Sequence, residues 1–108
     1  MASQSDTFTV QASLESVWKA CEEAVGALGC KVVSKVDNSV LVCKEAMGAY
    51  LVYAMPVEVE IRLSRVTPVA TQISLKGSNF GVGPIAGNHI KGHLSNLRMR
   101  IETLSSRG

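Results

Sequence analysis

Val57-Glu58-Val59-Glu60-Ile61-Arg62-Leu63 alternates without a break. Val57, Val59, Ile61 and Leu63 take one side, and Glu58, Glu60 and Arg62 the other. A period of two with charge at every second position specifies a strand with one dry face and one wet face. Such strands build antiparallel sheets, and something apolar must cover the dry side. Val69 to Lys76 repeats the pattern, with Thr71, Ile73 and Leu75 opposite Gln72, Ser74 and Lys76. Val66-Thr67-Pro68 reads as the turn between the two. Upstream, Tyr50 to Met55 is apolar on both faces, and Pro56, which has no N–H for a ladder, marks an edge, a bulge or a break.

The cover is supplied by two helical patterns. Leu14, Val17, Trp18, Cys21, Val25 and Leu28 follow a helical period, with Lys19, Glu22 and Glu23 on the far side. Ser13 suits the N-cap, Glu15 the first turn and Gly29 the stop. Ile90, Leu94, Leu97, Ile101 and Leu104 step by four and three, which is a second core stripe. Phe8 and Val10 alternate with Thr7, Thr9 and Gln11, so residues 6–12 read as a first strand. Cys30–Val36 and Val40–Lys44 flank Asp37-Asn38-Ser39 and read as a hairpin, because Asp and Asn accept left-handed backbone. Val32 and Val36 alternate with Lys31 and Lys35, which predicts one wet face. The class is therefore α+β: a β-α-β-β-β-β-α two-layer sandwich, its antiparallel sheet carrying both helices on one face. Residues 1–108 form a single domain, with 1–5 and 105–108 expected to fray.

Composition narrows the partners. Apolar residues make up 46% of the chain, which argues for a folded core, and aromatics only 5%, so that core is aliphatic. A net charge of +2, without a basic cluster, predicts no nucleic-acid partner. The longest apolar run, Met47 to Val57, is too short to span a bilayer, and no membrane role is expected. Cys21, Cys30 and Cys43 are odd in number and irregularly spaced, which argues against a disulfide framework and for buried free thiols in a reducing, cytoplasmic setting. Met1 to Asp6 lacks the basic and apolar regions of a secretory signal.

The order of elements resembles the TATA-binding-protein-like fold group and the helix-grip lipid-binding proteins. Phe8-Thr9-Val10 followed by Ser13-Leu14-Glu15-Ser16-Val17-Trp18 is similar to the opening of helix-grip domains. The resemblance implies the fold and carries no catalytic residue onto this chain.

Five of the nine glycines lie between Gly77 and Gly92, where a strand pattern passes into a helix. Residues without a Cβ serve tight turns and close approaches. The segment 78–87 reads as a flexible connection, and Gly81-Val82-Gly83-Pro84 at a helix start also offers free N–H groups to an anion. The reading is a non-catalytic domain that binds a small apolar ligand or a protein partner beside this segment. Tyr50, Tyr53, Met55 and Phe80 would give apolar contacts; Gly81, Gly83, Asn88 and His89 would give polar ones. No cofactor and no metal are expected. His89 and His93, four apart, share a helical face with Asn96 and Arg100. They read as surface histidines. A metal enzyme built on them would need Cys30, Cys43 or a carboxylate brought in by the fold. A third alternative is a structural homo-oligomer, a homodimer joined through the apolar strand 48–55.

Overall fold

The computed structural model describes residues 2–45, 56–79 and 83–106, with the side chains of 83–85 excepted. Five strands and two helices follow in the order β1 (Ala2–Val10), α1 (Leu14–Ala27), β2 (Cys30–Val36), β3 (Val40–Glu45), β4 (Glu58–Thr67), β5 (Ala70–Asn79) and α2 (Gly83–Ser105). The sheet runs β1-β5-β4-β3-β2, with every pairing antiparallel. Both helices lie on one face of it, as the alternation in β4 requires.

Local chemistry fixes the joints. The Ser13 side chain accepts the Ser16 N–H at 3.2 Å and starts α1. Gly29, at φ +73°, turns the chain out of that helix. Asp37 and Asn38 both adopt left-handed backbone, at φ 50° and 52°, which suits the twist of a tight hairpin. The core joins Val17, Cys21 and Val25 of α1 and Ile90, Leu97 and Ile101 of α2 to Leu41, Val59, Ile61, Ile73 and Leu75 of the sheet.

Four expectations are corrected. The first strand was placed at 6–12, with residues before it fraying. It spans Ala2–Val10, and Ala2 pairs with Asn79. Ser3, Gln4 and Ser5 pair through their backbones, which leaves no mark in an apolar pattern. Ala12 instead turns toward α1, its carbonyl accepting the Thr71 hydroxyl at 2.9 Å. Second, β5 continues through Gly77, Ser78 and Asn79, and α2 begins at Gly83, so much of the glycine-rich segment is regular structure. Gly77 is needed where α2 meets the sheet: a Cβ there would stand 2.7 Å from Ile90 Cγ2 and 3.2 Å from Leu94 Cδ2. Third, β4 continues to Thr67 and the turn falls at Pro68 and Val69. Fourth, β2 lacks the predicted dry face. A register shift between Val32 and Ser34 breaks its alternation, Lys35 reaches Glu22 of α1, and Val33 and Val36 stay 58% and 51% exposed on this edge strand. The apolar strand 48–55 lies outside the described residues. Among the described residues no helix is long and apolar enough to cross a membrane.

Candidate functional site

At the end of β3 the ladder stops and side chains continue it. The Glu45 N–H donates to the Val57 carbonyl at 3.0 Å. Val57 returns its own N–H to Glu45 Oε1 at 2.8 Å. Leu41, Cys43 and Glu45 share the inward phase of β3, so the carboxylate is carried under the helices, between Cys30 on one side and Val57 on the other. There it meets α2. His89 Nε2 lies 3.0 Å from Glu45 Oε1, and His93 Nδ1 lies 3.4 Å from Oε2. One turn of helix separates the two rings, which lets a single carboxylate bridge them.

The other edge of the His93 ring faces β2. Its Nε2 is 3.6 Å from the sulfur of Cys30, the residue that follows the Gly29 turn. In the β2–β3 register Cys30 stands opposite Glu45, and Cys43 stands opposite Val32. Both thiols are therefore on the inner face, two register positions apart. Cys43 is fully buried, and Cys30 is half-buried.

These contacts set the charges. The Cys43 thiol donating to Cys30 pulls the Cys30 pKa down; burial opposes this; His93 then lowers it through its hydrogen bond and charge, against Glu45. The result for Cys30 is about 5, against an ordinary 9.0. Cys43 is pushed upward, by the same hydrogen bond and then by burial. For His93, burial works to lower the pKa, but the Cys30 hydrogen bond and the Glu45 and Cys30 charges prevail and raise it. The arrangement favours a Cys30 thiolate and, in return, the protonated form of the His93 ring, with the Glu45 carboxyl group behind that ring. Such a thiolate is a nucleophile at neutral pH, and the ring is placed to donate a proton.

The sequence placed a site at Tyr50, Tyr53, Met55, Phe80, Gly81, Gly83, Asn88 and His89. Tyr50, Tyr53, Met55, Phe80 and Gly81 lie outside the described residues. Gly83 opens α2, and Asn88 points to solvent. His89 does join a polar group. The expectation that His89 and His93 are surface residues is corrected: His93 is 9% exposed and His89 half-buried, because the end of β3 delivers a carboxylate beneath them. Glu45 was missed. The signal was available, since Glu45 continues the inward phase of Leu41 and Cys43. The cleft expected between the sheet and the start of α2 is filled at the level of Gly77 by Ile90 and Leu94. Two open surface depressions lie away from this corner. One of about 780 Å³ separates α1 from the β2–β3 hairpin beside Trp18 and Asn38, and one of about 500 Å³ runs between α2 and β1. Among the described residues no group of three or more His, Cys, Asp or Glu is arranged to hold a metal ion.

No protein-family model matches the sequence, and no curated protein matches it significantly. Solved structures do match. The Aha1 dimer from Colwellia psychrerythraea superposes with a TM-score of 0.71 at 14% identity, covering 97% of this chain and 96% of its own. A START superfamily protein from Mycobacterium smegmatis gives 0.64 at 13% identity, with 99% of each chain covered. The fold is helix-grip-like. CalU16 from Micromonospora echinospora also superposes, at 0.62 and 16% identity, over 97% of this chain and 82% of its own. At such identities the likeness is one of fold. It bears out the helix-grip part of the expected resemblance and adds nothing specific for the TATA-binding-protein-like part.

Proposed function

We propose that this helix-grip-like domain is a non-catalytic binder of a small molecule with an apolar body and a polar or anionic end. The carrying observation is the corner where Cys30, Glu45, His89 and His93 meet against an aliphatic core. Groups this far apart in sequence were brought together at a cost. Buried ionisable clusters contribute little net stability compared with apolar packing of equal volume. A ligand that exploits the imidazole edges gives the cluster a purpose. The contacts expected from the sequence, Tyr50, Tyr53, Met55, Phe80, Gly81 and Gly83, are carried into the proposed site. The fold shared with a START superfamily protein supports the same reading. Three free thiols fit a reducing, cytoplasmic setting.

Native mass spectrometry of the purified chain should show a bound small molecule. Medium-chain aliphatic carboxylates should raise the melting temperature in proportion to their logarithmic excess over Kd. His89→Ala should weaken that response. An empty chain whose melting is unmoved by these carboxylates and by the matching alcohols would overturn the reading.

A second reading is self-association, favoured by the open edge of β2 with Val33 and Val36 in water. Light scattering on the wild type and on Val33→Lys tests it: a dimer split by the lysine supports it, and a wild-type monomer rejects it.

A further inference from the structure

We propose that Cys30 is a hydroperoxide-reactive thiolate, assisted by His93 and Glu45, whose oxidation halts at the sulfenic acid until an outside thiol takes it up. The inference goes beyond the binding function and does not depend on it. Two features of geometry carry it.

The first is the approach. Cys30 is half-buried on the edge strand β2, so part of the residue meets solvent. His93 is buried behind it, with Nε2 at 3.6 Å, and Glu45 holds the far side of the ring. The groups facing the sulfur are His93 from α2 and Glu45 and Cys43 from β3, with His89 acting on it through Glu45. Lys31 and Lys44 occupy the adjacent register position and so project to the opposite face of the sheet. The reaction balances with what is present. The thiolate attacks one peroxide oxygen and the O–O bond breaks. Sulfur loses two electrons and the peroxide gains them. The departing hydroxide or alkoxide takes a proton from the His93 imidazolium and leaves as water or alcohol. Cys30 then carries S–OH.

The second is what stops the next step. Cys43 lies near Cys30 on the neighbouring strand β3. Their strands are locked with Cys30 opposite Glu45 and Cys43 opposite Val32, so the two cysteines are diagonal neighbours. Diagonal positions lie about 7–8 Å apart, at or past the ~7 Å limit of Cα separation for a disulfide. Neither cysteine therefore stands directly across the ladder from the other. Cys43, fully buried and with its pKa pushed upward, stays a thiol and is a poor nucleophile toward the oxidised sulfur. An outside monothiol can condense with the sulfenic acid, giving a mixed disulfide and releasing water.

The test is hydrogen peroxide on the whole reduced chain, with dimedone as the sulfenic trap and peptide mass spectrometry as the readout. The expected result is one dimedone adduct, at Cys30, absent in Cys30→Ser and retained in Cys21→Ser. His93→Gln should slow its formation about tenfold or more, through loss of the acid. Oxidation without the trap should give the mass of one added oxygen. Adducts on Cys21 or Cys43 instead, no adduct at all, or direct loss of two hydrogens to a Cys30–Cys43 disulfide would each overturn the proposal. Should His93→Gln fail to fold, the wild-type pH profile decides. A rate level from about pH 6 to 8 supports the proposal, and a tenfold rise per unit across that range overturns it.

Discussion

Alkylation of Cys30 by iodoacetamide, followed against pH, reads the electrostatics of the corner directly. An ordinary thiol, at 9.0, is about 0.1% thiolate at pH 6, whereas Cys30, at about 5, is roughly 90% ionised. That is a ~900-fold advantage in reactive species. A thiolate of low basicity is also a weaker nucleophile: with a Brønsted slope of about 0.45, four units cost it about 60-fold. The net expectation is a rate about 15-fold above an ordinary thiol at pH 6 and about equal at pH 7. The shape of the profile is therefore more diagnostic than the speed. Cys30 should react at a nearly constant rate from about pH 6 to 8 and lose half of it near 5. Cys43→Ala should move that midpoint upward, since the Cys43 donor is the largest lowering influence. His93→Gln should also move it upward. Cys21, pushed up to about 12 by burial, should stay silent throughout. A Cys30 rate that climbs tenfold per unit through pH 8, with its midpoint near 9, would refute the reasoning.

Gly77→Ala should destabilise the domain by about 1–3 kcal/mol, because the new methyl meets Ile90 Cγ2 on a stiff β-branched side chain. Urea unfolding would show it, and an unchanged midpoint would mean α2 sits further from β5. Ile61→Asp or Leu97→Asp should unfold the chain, since each places a lone charge at a fully buried position. Near-native circular dichroism and melting for both would contradict the packing of the layers. Ser13→Ala should cost about 1 kcal/mol by removing the N-cap acceptor of α1, whereas Asn38→Gly should be tolerated at its left-handed backbone. Thermal melts of the two variants check this pair, and similar losses from both would count against the described turns.

What the sequence disclosed and what it hid divide along physical lines. The alternation from Val57 to Leu63 and the stripe from Ile90 to Leu104 are set by burial, and burial writes a period into the chain. Sheet, helices and their shared face were legible for that reason. The entry of Ala2–Ser5 into β1 was not, because backbone pairing at an edge demands no particular side chain. Gly77 was visible as a glycine, but the closeness of Ile90 that calls for it is a tertiary fact. The corner was half legible. The i, i+4 spacing of His89 and His93 could be seen, as could the inward phase of Glu45. Their meeting depends on the end of β3 lying beneath α2, and Cys30 reaches His93 only through the β2–β3 register. Neither relation is local in sequence.

Imidazole nitrogen NMR of the reduced chain tests the central claim most directly, that Cys30, His93 and Glu45 form one charged unit inside the helix–sheet layer. The account predicts that His93 remains protonated above the ordinary value of 6.5, with both ring nitrogens bonded, and that Cys30→Ala lowers its titration. A His93 that titrates at 6.5 and ignores the loss of Cys30 would contradict it.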